Sequence, residues 1–403
     1  MSKTIIRGYK YKIYPTEEQA CQIDKFINLS RYVYNWGIAK EQEIYEKYKK
    51  GESKYQFYTF YELRSLFRNE RNNNPNLYWL KDIPAETSSL QLRNVFNGYR
   101  RFFNRQNIKP PNFKSKKYCK KSFNTRHDRF NIENDCIKIE GIKDRISLGF
   151  NSGLNINGFQ DEHKPINPVI TKDYLGNYYV SFSMEEEIVG LPVLNEEEGI
   201  GIDLGIRRTF TLSNGKIYNQ PKDKLNKLEN KRRRQQRHVT HDINRRINES
   251  MRTKTKYEDI PKSKRAIKRE LKLRKTYKKI HNIKNTFYHT ITKKIVDMKP
   301  KYVCMETFSV KDIQKNKPYM NDKLVQVSFY DITQKMKYKC NQYNIPFIQA
   351  PREFASTQIC NNCGYKKKMY GYHTYKCPVC GMIEDRDINA AINLMNYGSQ
   401  FIA

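Results

Sequence analysis

The chain alternates between two hydrophobic rhythms. A period of two runs through Tyr9, Tyr11 and Ile13, set between Lys10, Lys12 and Tyr14 and stopped by Pro15, and it predicts a half-exposed strand. The rhythm then becomes helical. Thr16 and Gln19 form a capping box, and Ala20, Ile23, Phe26 and Ile27 follow at helical spacing. Helical patterning runs to about residue 105, most clearly from Ser88 onward, where Leu92, Val95, Phe96, Tyr99, Phe102 and Phe103 share one face. Pro110 and Pro111 end it, and the stretch from Phe113 to Phe123 interleaves aromatics with lysines, among them Lys114, Lys116 and Lys117. From Cys136 to Met184 strands return, with Val169-Ile170-Thr171 and Tyr178 to Phe182 flanking a turn at Gly176-Asn177. This group and the first strand are expected to form one β-domain with the helices inserted between them.

Residues Glu185 to Glu198 read as an acidic linker. Beyond it, Ile200, Ile202 and Leu204 alternate with Gly201, Asp203 and Gly205, so one face of a strand packs a core and the other carries Asp203 alone. The flanking glycines are expected to let a bulky charged ligand such as a phosphodiester approach the backbone. A strand-end aspartate capping a turn is the plain alternative. A hairpin through Ser213-Asn214-Gly215 follows, then long helices with one seam carried by Leu225, Leu228, Ile267, Leu271 and Arg274.

Charge changes the picture of those helices. Residues 222–284 hold 24 Lys and Arg against 7 Asp and Glu, half of the chain's net excess of +34. So concentrated a charge predicts a face that tracks phosphates, with Arg232, Arg233, Arg234 and Arg237 as candidate contacts, although a solvated face has the same pattern. Thirty Tyr and twenty Phe among the basic residues suit base stacking as well as core packing. No apolar run of about eighteen residues and no signal-peptide core occur, which predicts a soluble, cytoplasmic protein without a membrane partner. Nine cysteines, five single and four clustered, read as metal-site usage and exclude a disulfide scaffold.

The remaining chemistry lies late in the chain. Lys301 to Glu306 is a short apolar strand with a carboxylate at its end, and a buried Glu306 requires a charge partner or a metal. Asp385-Arg386-Asp387 opens a helix whose Ile388, Ala391, Ile392 and Met395 lie on one face, so Asp387 stands at its N-terminal edge, where capping is the competing role. Asp203, Glu306 and Asp387 together make an oxygen-only site suited to two Mg²⁺ or Mn²⁺ ions about 4 Å apart, which can hydrolyse a phosphodiester. Cys360-Asn361-Asn362-Cys363 and Cys377-Pro378-Val379-Cys380 are two knuckles that hold Zn²⁺ structurally through four thiolates, with His373 outside the ligand set.

Taken in order, Gly201-Ile202-Asp203-Leu204-Gly205, Cys304-Met305-Glu306, the cysteine pairs and Asp385-Arg386-Asp387-Ile388-Asn389-Ala390-Ala391 resemble the TnpB family of transposon-encoded RNA-guided nucleases. The likeness extends to Pro111-Asn112-Phe113-Lys114-Ser115-Lys116-Lys117 and to Tyr11-Lys12-Ile13-Tyr14-Pro15, and so covers nearly the whole chain. It implies a multidomain α+β protein: a wedge-like β-barrel from residues 1–10 and 120–190, interrupted by a helical recognition domain at 11–119. An RNase-H-like (RuvC) α/β nuclease domain at 196–353 and 385–403 would follow, with a zinc ribbon inserted at 354–384. It also implies a guide RNA, a target duplex whose strands are both cut at one acidic site, and a short adjacent motif read by protein. Asp203, Glu306 and Asp387 match the family's acidic residues. Thr87, Ser88, Gln91 and Asn94 are the polar side chains expected to reach base edges in that motif, and one protein copy per RNA is favoured. Compact type V CRISPR effectors share the nuclease signature and are the nearest competitor. A non-cleaving RNA-guided repressor and a direct participant in transposition are further alternatives; the intact acids oppose the first, and the lack of an obvious His-x-His plus tyrosine constellation opposes the second.

Overall fold

A computed structural model describes residues 2–106, 109–149, 156–157, 164–189, 198–307, 327–369 and 373–402. The protein is a mixed α/β protein that divides into two compact units, residues 4–188 and residues 189–403, the latter grouped with residues 1–3.

In the first unit, β1 (Ser2–Tyr14) leads through Pro15 into α1 (Glu17–Lys49). Thr16 Oγ1 accepts the Gln19 N–H while Gln19 Oε1 accepts the Thr16 N–H, so the expected capping box starts the helix. α2 (Phe60–Asn73) and α3 (Ala85–Phe103) follow, the latter burying Leu92, Val95 and Tyr99. Seven strands come next: β2 (Lys121–Asn124), β3 (Phe130–Glu133), β4 (Cys136–Ile139), β5 (Ile146–Leu148), β6 (Ile156–Asn157), β7 (Ile166–Lys172) and β8 (Tyr178–Val189). They join β1 in one sheet of order β2-β7-β8-β1-β5-β4-β3-β6. The chain's first strand is thus paired between β8 and β5, while the helices come from the intervening segment. β8 continues through Glu185, Glu186 and Glu187, so the first part of the expected acidic linker is strand. Arg7 and the Tyr9 hydroxyl, both on β1, reach the Glu186 carboxylate there, which lets a charged run stay in the sheet. Residues 190–197 of that linker lie outside the described residues.

Glu41 is fully buried in this unit. Its Oε2 accepts the Tyr58 N–H at 2.9 Å. Burial, opposed by that N–H and reinforced by Glu62, pushes its carboxyl up to about 7. The neutral form is the one the fold prefers, so this stability is complete below the ordinary pKa of 4.5 and is lost as pH rises through about 7. A shift of that size corresponds to about 3 kcal/mol. Urea unfolding at pH 5 and pH 8 should show the natural protein weakening at the higher pH and Glu41→Gln holding level; parallel pH dependence in both would refute the assignment.

The second unit opens with β9 (Ile200–Asp203), β10 (Phe210–Leu212) and β11 (Ile217–Tyr218). Two long helices follow, α4 (Lys222–Thr253) and α5 (Lys264–Asp297). Then come β12 (Val303–Glu306), α6 (Phe329–Gln342), β13 (Phe347–Ala350), β14 (Thr374–Lys376), β15 (Ile383–Asp385) and α7 (Arg386–Ser399). The main sheet has the order β11-β10-β9-β12-β13, with β9, β12 and β13 parallel and the hairpin β10-β11 antiparallel. α4 and α5 form a helical hairpin, but its seam differs from the expected one. Ile267 and Leu271 are exposed, whereas Ala266, Leu273, Thr276 and Ile280 are buried. Arg269 of α5 pairs with Asp242 of α4 at 2.8 Å, which turns that side of α5 toward α4, and the guanidinium of Arg246 on α4 ties down the connecting loop by donating to the Ile260 carbonyl and the Tyr257 hydroxyl. Among the described residues, no helix is long and apolar enough to cross a membrane.

Candidate metal centres and nucleic-acid interface

Parallel pairing of β9 with β12 sets Ile202 beside Met305, so the next residues in register, Asp203 and Glu306, end adjacent strands side by side. α7 lies across both. A side chain at Gly201 would place its Cβ 1.9 Å from the Ala391 carbonyl oxygen, and one at Gly398 would fall 2.8 Å from Cys304 Cβ. The bare face of β9 is therefore filled by helix backbone. This corrects the expectation that Gly201 keeps room for a phosphodiester: glycine stands there because α7 packs directly on the strand. The same contact turns the Asp203 face toward the start of α7.

That start is tied down by Asp385, whose Oδ1 accepts the N–H groups of Asp387 and Ile388 at 2.9 and 3.3 Å. Asp385 is thus the cap, and Asp387 follows in the first turn with its carboxylate free of that task. Arg386 binds Asp387 Oδ1 at 2.8 Å, while Arg208 lies 2.7 Å from Asp385 and 3.9 Å from Asp387. The hydrophobic pattern did not mark these arginines, although the run Asp385-Arg386-Asp387 hinted at one.

Burial first, then the proximity of Glu306 and Asp387, hold the Asp203 carboxyl well above the usual carboxylate range. Burial alone pushes Glu306 up to about 7. Asp385 is the opposite case: burial would raise it, but the Arg208 bond and two N–H donors outweigh burial and lower it. Asp203 and Glu306 are buried acids of raised proton affinity, the kind of oxygen donor that a divalent cation stabilises, and Asp387 offers a third carboxylate from the start of α7.

The four cysteines Cys360, Cys363, Cys377 and Cys380 gather with all sulfurs within 4.8 Å of one another. Cys360 Sγ is 3.6 Å from Cys380 Sγ, and Cys363 Sγ is 3.5 Å from Cys377 Sγ. A tetrahedral ZnS₄ centre with bonds of about 2.3 Å needs sulfur separations of about 3.8 Å, so the thiols fit zinc without rearrangement. Donation from the Met382 N–H and the Asn362 side chain draws the Cys380 thiol down to about 6, toward the form that binds metal. His373 stands apart from the sulfurs and contacts Arg207. Cys360→Ser should reduce zinc from about one ion per chain to near none by elemental analysis; unchanged zinc would count against the site.

The expected nucleic-acid contacts divide. Thr87, Ser88 and Gln91 are buried on α3, and Gln91 donates to Asn124 Oδ1 at 3.1 Å. They pack α3 against α1 and β2 and do not present a polar row; Asn94, on the opposite side, is exposed. Lys114 is partly buried 3.6 Å over the Tyr34 ring, and burial lowers its pKa, whereas Lys116 and Lys117 are exposed. Arg232 is engaged with Glu229 at 2.6 Å and with Tyr277; Arg233, Arg234 and Arg237 are exposed.

Comparison with known proteins places this architecture among proteins of the TnpB and Cas12f type. The Cas12f1-like TNB domain family matches residues 329–394, and a helix-turn-helix domain family matches residues 1–50. A provisionally named RNA-guided DNA endonuclease of Streptomyces pristinaespiralis is 24% identical over 400 residues, 99% of this chain and 90% of that protein. TnpB-like protein L79 of Acanthamoeba polyphaga mimivirus is 31% identical over 157 residues, 38% of this chain and 29% of that protein. The solved Cas12f1-sgRNA-target DNA complex contains a chain of similar fold, with a TM-score of 0.57 over 98% of this chain and 99% of that one at 11% identity. Over nearly its whole length the chain is thus similar to proteins named as RNA-guided DNA endonucleases, and over shorter stretches to TnpB-like and Cas12f1-like proteins.

Proposed function

We propose that this protein is an RNA-guided DNA endonuclease that cuts double-stranded DNA by metal-dependent phosphodiester hydrolysis in a RuvC-like site. The observation that carries the reading is the side-by-side placement of Asp203 and Glu306 at the ends of two parallel strands, with Asp387 in the first turn of α7 acting electrostatically on Asp203, in a chain 24% identical to a protein provisionally named an RNA-guided DNA endonuclease. These three residues would hold Mg²⁺ or Mn²⁺, and two such ions supply an activated water and stabilise the leaving oxygen. Asp203 and Glu306 hold protons tightly when no cation is near, so cation binding releases them. Arg386 and Arg208 stand beside the Asp387 carboxylate, at 2.8 and 3.9 Å, where they hold it in place.

In this reading residues 11–119 recognise the guide and the target-adjacent motif, within the barrel of residues 1–10 and 120–190. Residues 196–353 and 385–403 cut, and the ribbon at 354–384 contacts nucleic acid. Asn94, Lys116 and Lys117 take the contacts in the first region, and Arg233, Arg234 and Arg237 track phosphates from α4. One protein copy serves each RNA, in the compartment that holds the DNA. The match of residues 329–394 to a Cas12f1-like domain favours a compact CRISPR effector as the second reading.

Purified protein with its co-purifying RNA should cut a duplex matched to that RNA with Mg²⁺ or Mn²⁺ and not with EDTA. Cutting that ignores the RNA match would overturn the proposal. Sequencing the RNA separates the two readings: a transposon-end transcript supports TnpB action, and processed repeat-spacer RNA supports the CRISPR effector.

A further inference from the structure

Two asparagines on α7 have no part in the chemistry above. Asn389 and Asn393 lie one helical turn apart, both buried, on a face that apolar residues would ordinarily fill. Asn389 donates from Nδ2 to the Ile359 carbonyl at 2.7 Å and accepts the Asn361 N–H at Oδ1 at 3.0 Å. Asn393 donates from Nδ2 to the carbonyls of Ser356 and Ile359 at 2.8 and 2.7 Å. Ile359 directly precedes Cys360 and Asn361 directly follows it, so three of the four bonds grip the first zinc knuckle and the fourth holds the turn that leads into it. The second knuckle is joined to the same helix by chain continuity. β15, which pairs with β14 through Thr374 and Asp385, ends at the cap of α7, and the Arg386 N–H donates to the His373 carbonyl at 2.8 Å.

A buried amide left unpaired costs about 1–3 kcal/mol, so an asparagine at such a place acts through its bonds. The amide of Asn389 donates and accepts at once, and leucine of similar volume would do neither. Asp387 stands two residues before Asn389, in the first turn of the helix that these bonds hold.

We infer that Asn389 and Asn393 are positioning residues that latch α7 to the first zinc knuckle, so that zinc held by the four thiolates fixes the place of Asp387 and thereby the affinity of the carboxylate site for its divalent cation. The inference rests on the reading of Asp387 as a cation ligand. Coupling between two binding sites is reciprocal, so a cation at the carboxylates must also tighten the binding of zinc. Outer partners that orient metal ligands typically contribute about 10- to 100-fold in affinity, which sets the size of effect to expect.

The test uses the full chain without nucleic acid. Zinc release to a zinc-selective fluorescent chelator is followed with and without Mn²⁺, and Mn²⁺ binding is measured by electron paramagnetic resonance. At equilibrium, saturating Mn²⁺ should leave several-fold less zinc with the chelator in the natural protein and have no effect in Asp387→Ala. Asn389→Leu and Asn393→Leu should release zinc faster and bind Mn²⁺ about 10-fold more weakly. Asn393→Gln, which keeps the amide, should recover part of both. Unaltered Mn²⁺ affinity in the leucine variants, with zinc leaving faster, would overturn the latch and leave the nuclease reading intact. Should those variants not fold, the natural protein decides: zinc release indifferent to Mn²⁺, while Asp387→Ala has lost Mn²⁺ binding, also overturns it. Undiminished Mn²⁺ binding in Asp387→Ala would instead overturn the cation-ligand reading, and the inference with it.

Discussion

Asp203→Ala is expected to lower cleavage of matched duplex by on the order of 10³-fold or more while the RNA stays bound. Asp203 is buried at the end of β9 beside Glu306, and no other residue in that strand offers a charged oxygen. Removing it takes away donor atoms that no neighbour can replace. It also removes a buried acid whose charged form is opposed by burial, Glu306 and Asp387, so the fold should be as stable as before or more so. Loss of cutting with an unchanged or higher melting temperature and retained RNA is the expected pattern. Equal cleavage by the variant would remove the basis for placing the chemistry here.

The second large effect concerns a residue with no side chain. Gly201→Ala should destabilise the unit of residues 189–403 by about 3 kcal/mol or more, because the new Cβ would stand 1.9 Å from the Ala391 oxygen and 2.5 Å from the Met395 nitrogen. Both obstacles are helix backbone, which cannot swing aside as a side chain can. For a unit of this size that corresponds to a fall of about 6–12 °C in melting temperature. Gly8→Ala is the control, since nothing lies within 4 Å of its added Cβ. Calorimetry showing the two variants melting alike would mean that α7 is not seated on β9 as described. Relief of the clash requires α7 to lift, so Gly201→Ala should weaken cutting as well.

Much of the fold was legible because it is locally encoded. The capping box at Thr16 and Gln19, the stripe of Leu92, Val95 and Tyr99, and the hairpin turn at Gly176-Asn177 each depend on neighbours within a few residues. Errors arose where a residue's partner was distant. Polar Thr87, Ser88 and Gln91 looked like a reading edge, yet α3 is packed on that side by α1 and β2. Ile267 and Leu271 look like a seam, yet Asp242 on α4 draws Arg269 inward and Ala266, Leu273 and Ile280 are the residues buried. Gly201 reads as space for a ligand because sequence shows the missing side chain and not what fills its place.

The order of motifs along the chain was enough to nominate Asp203, Glu306, Asp387 and the four cysteines, since carboxylates closing apolar strands and paired thiol knuckles are chemical signals that survive without coordinates. Their arrangement was not contained there. Parallel pairing of β9 with β12, the seating of α7 on Gly201 and the grip of Asn389 and Asn393 on the first knuckle join segments more than a hundred residues apart or buried in a pattern that hydrophobicity does not record. Close packing and hydrogen-bond geometry, which depend on three-dimensional neighbours, decided which of the nominated groups meet.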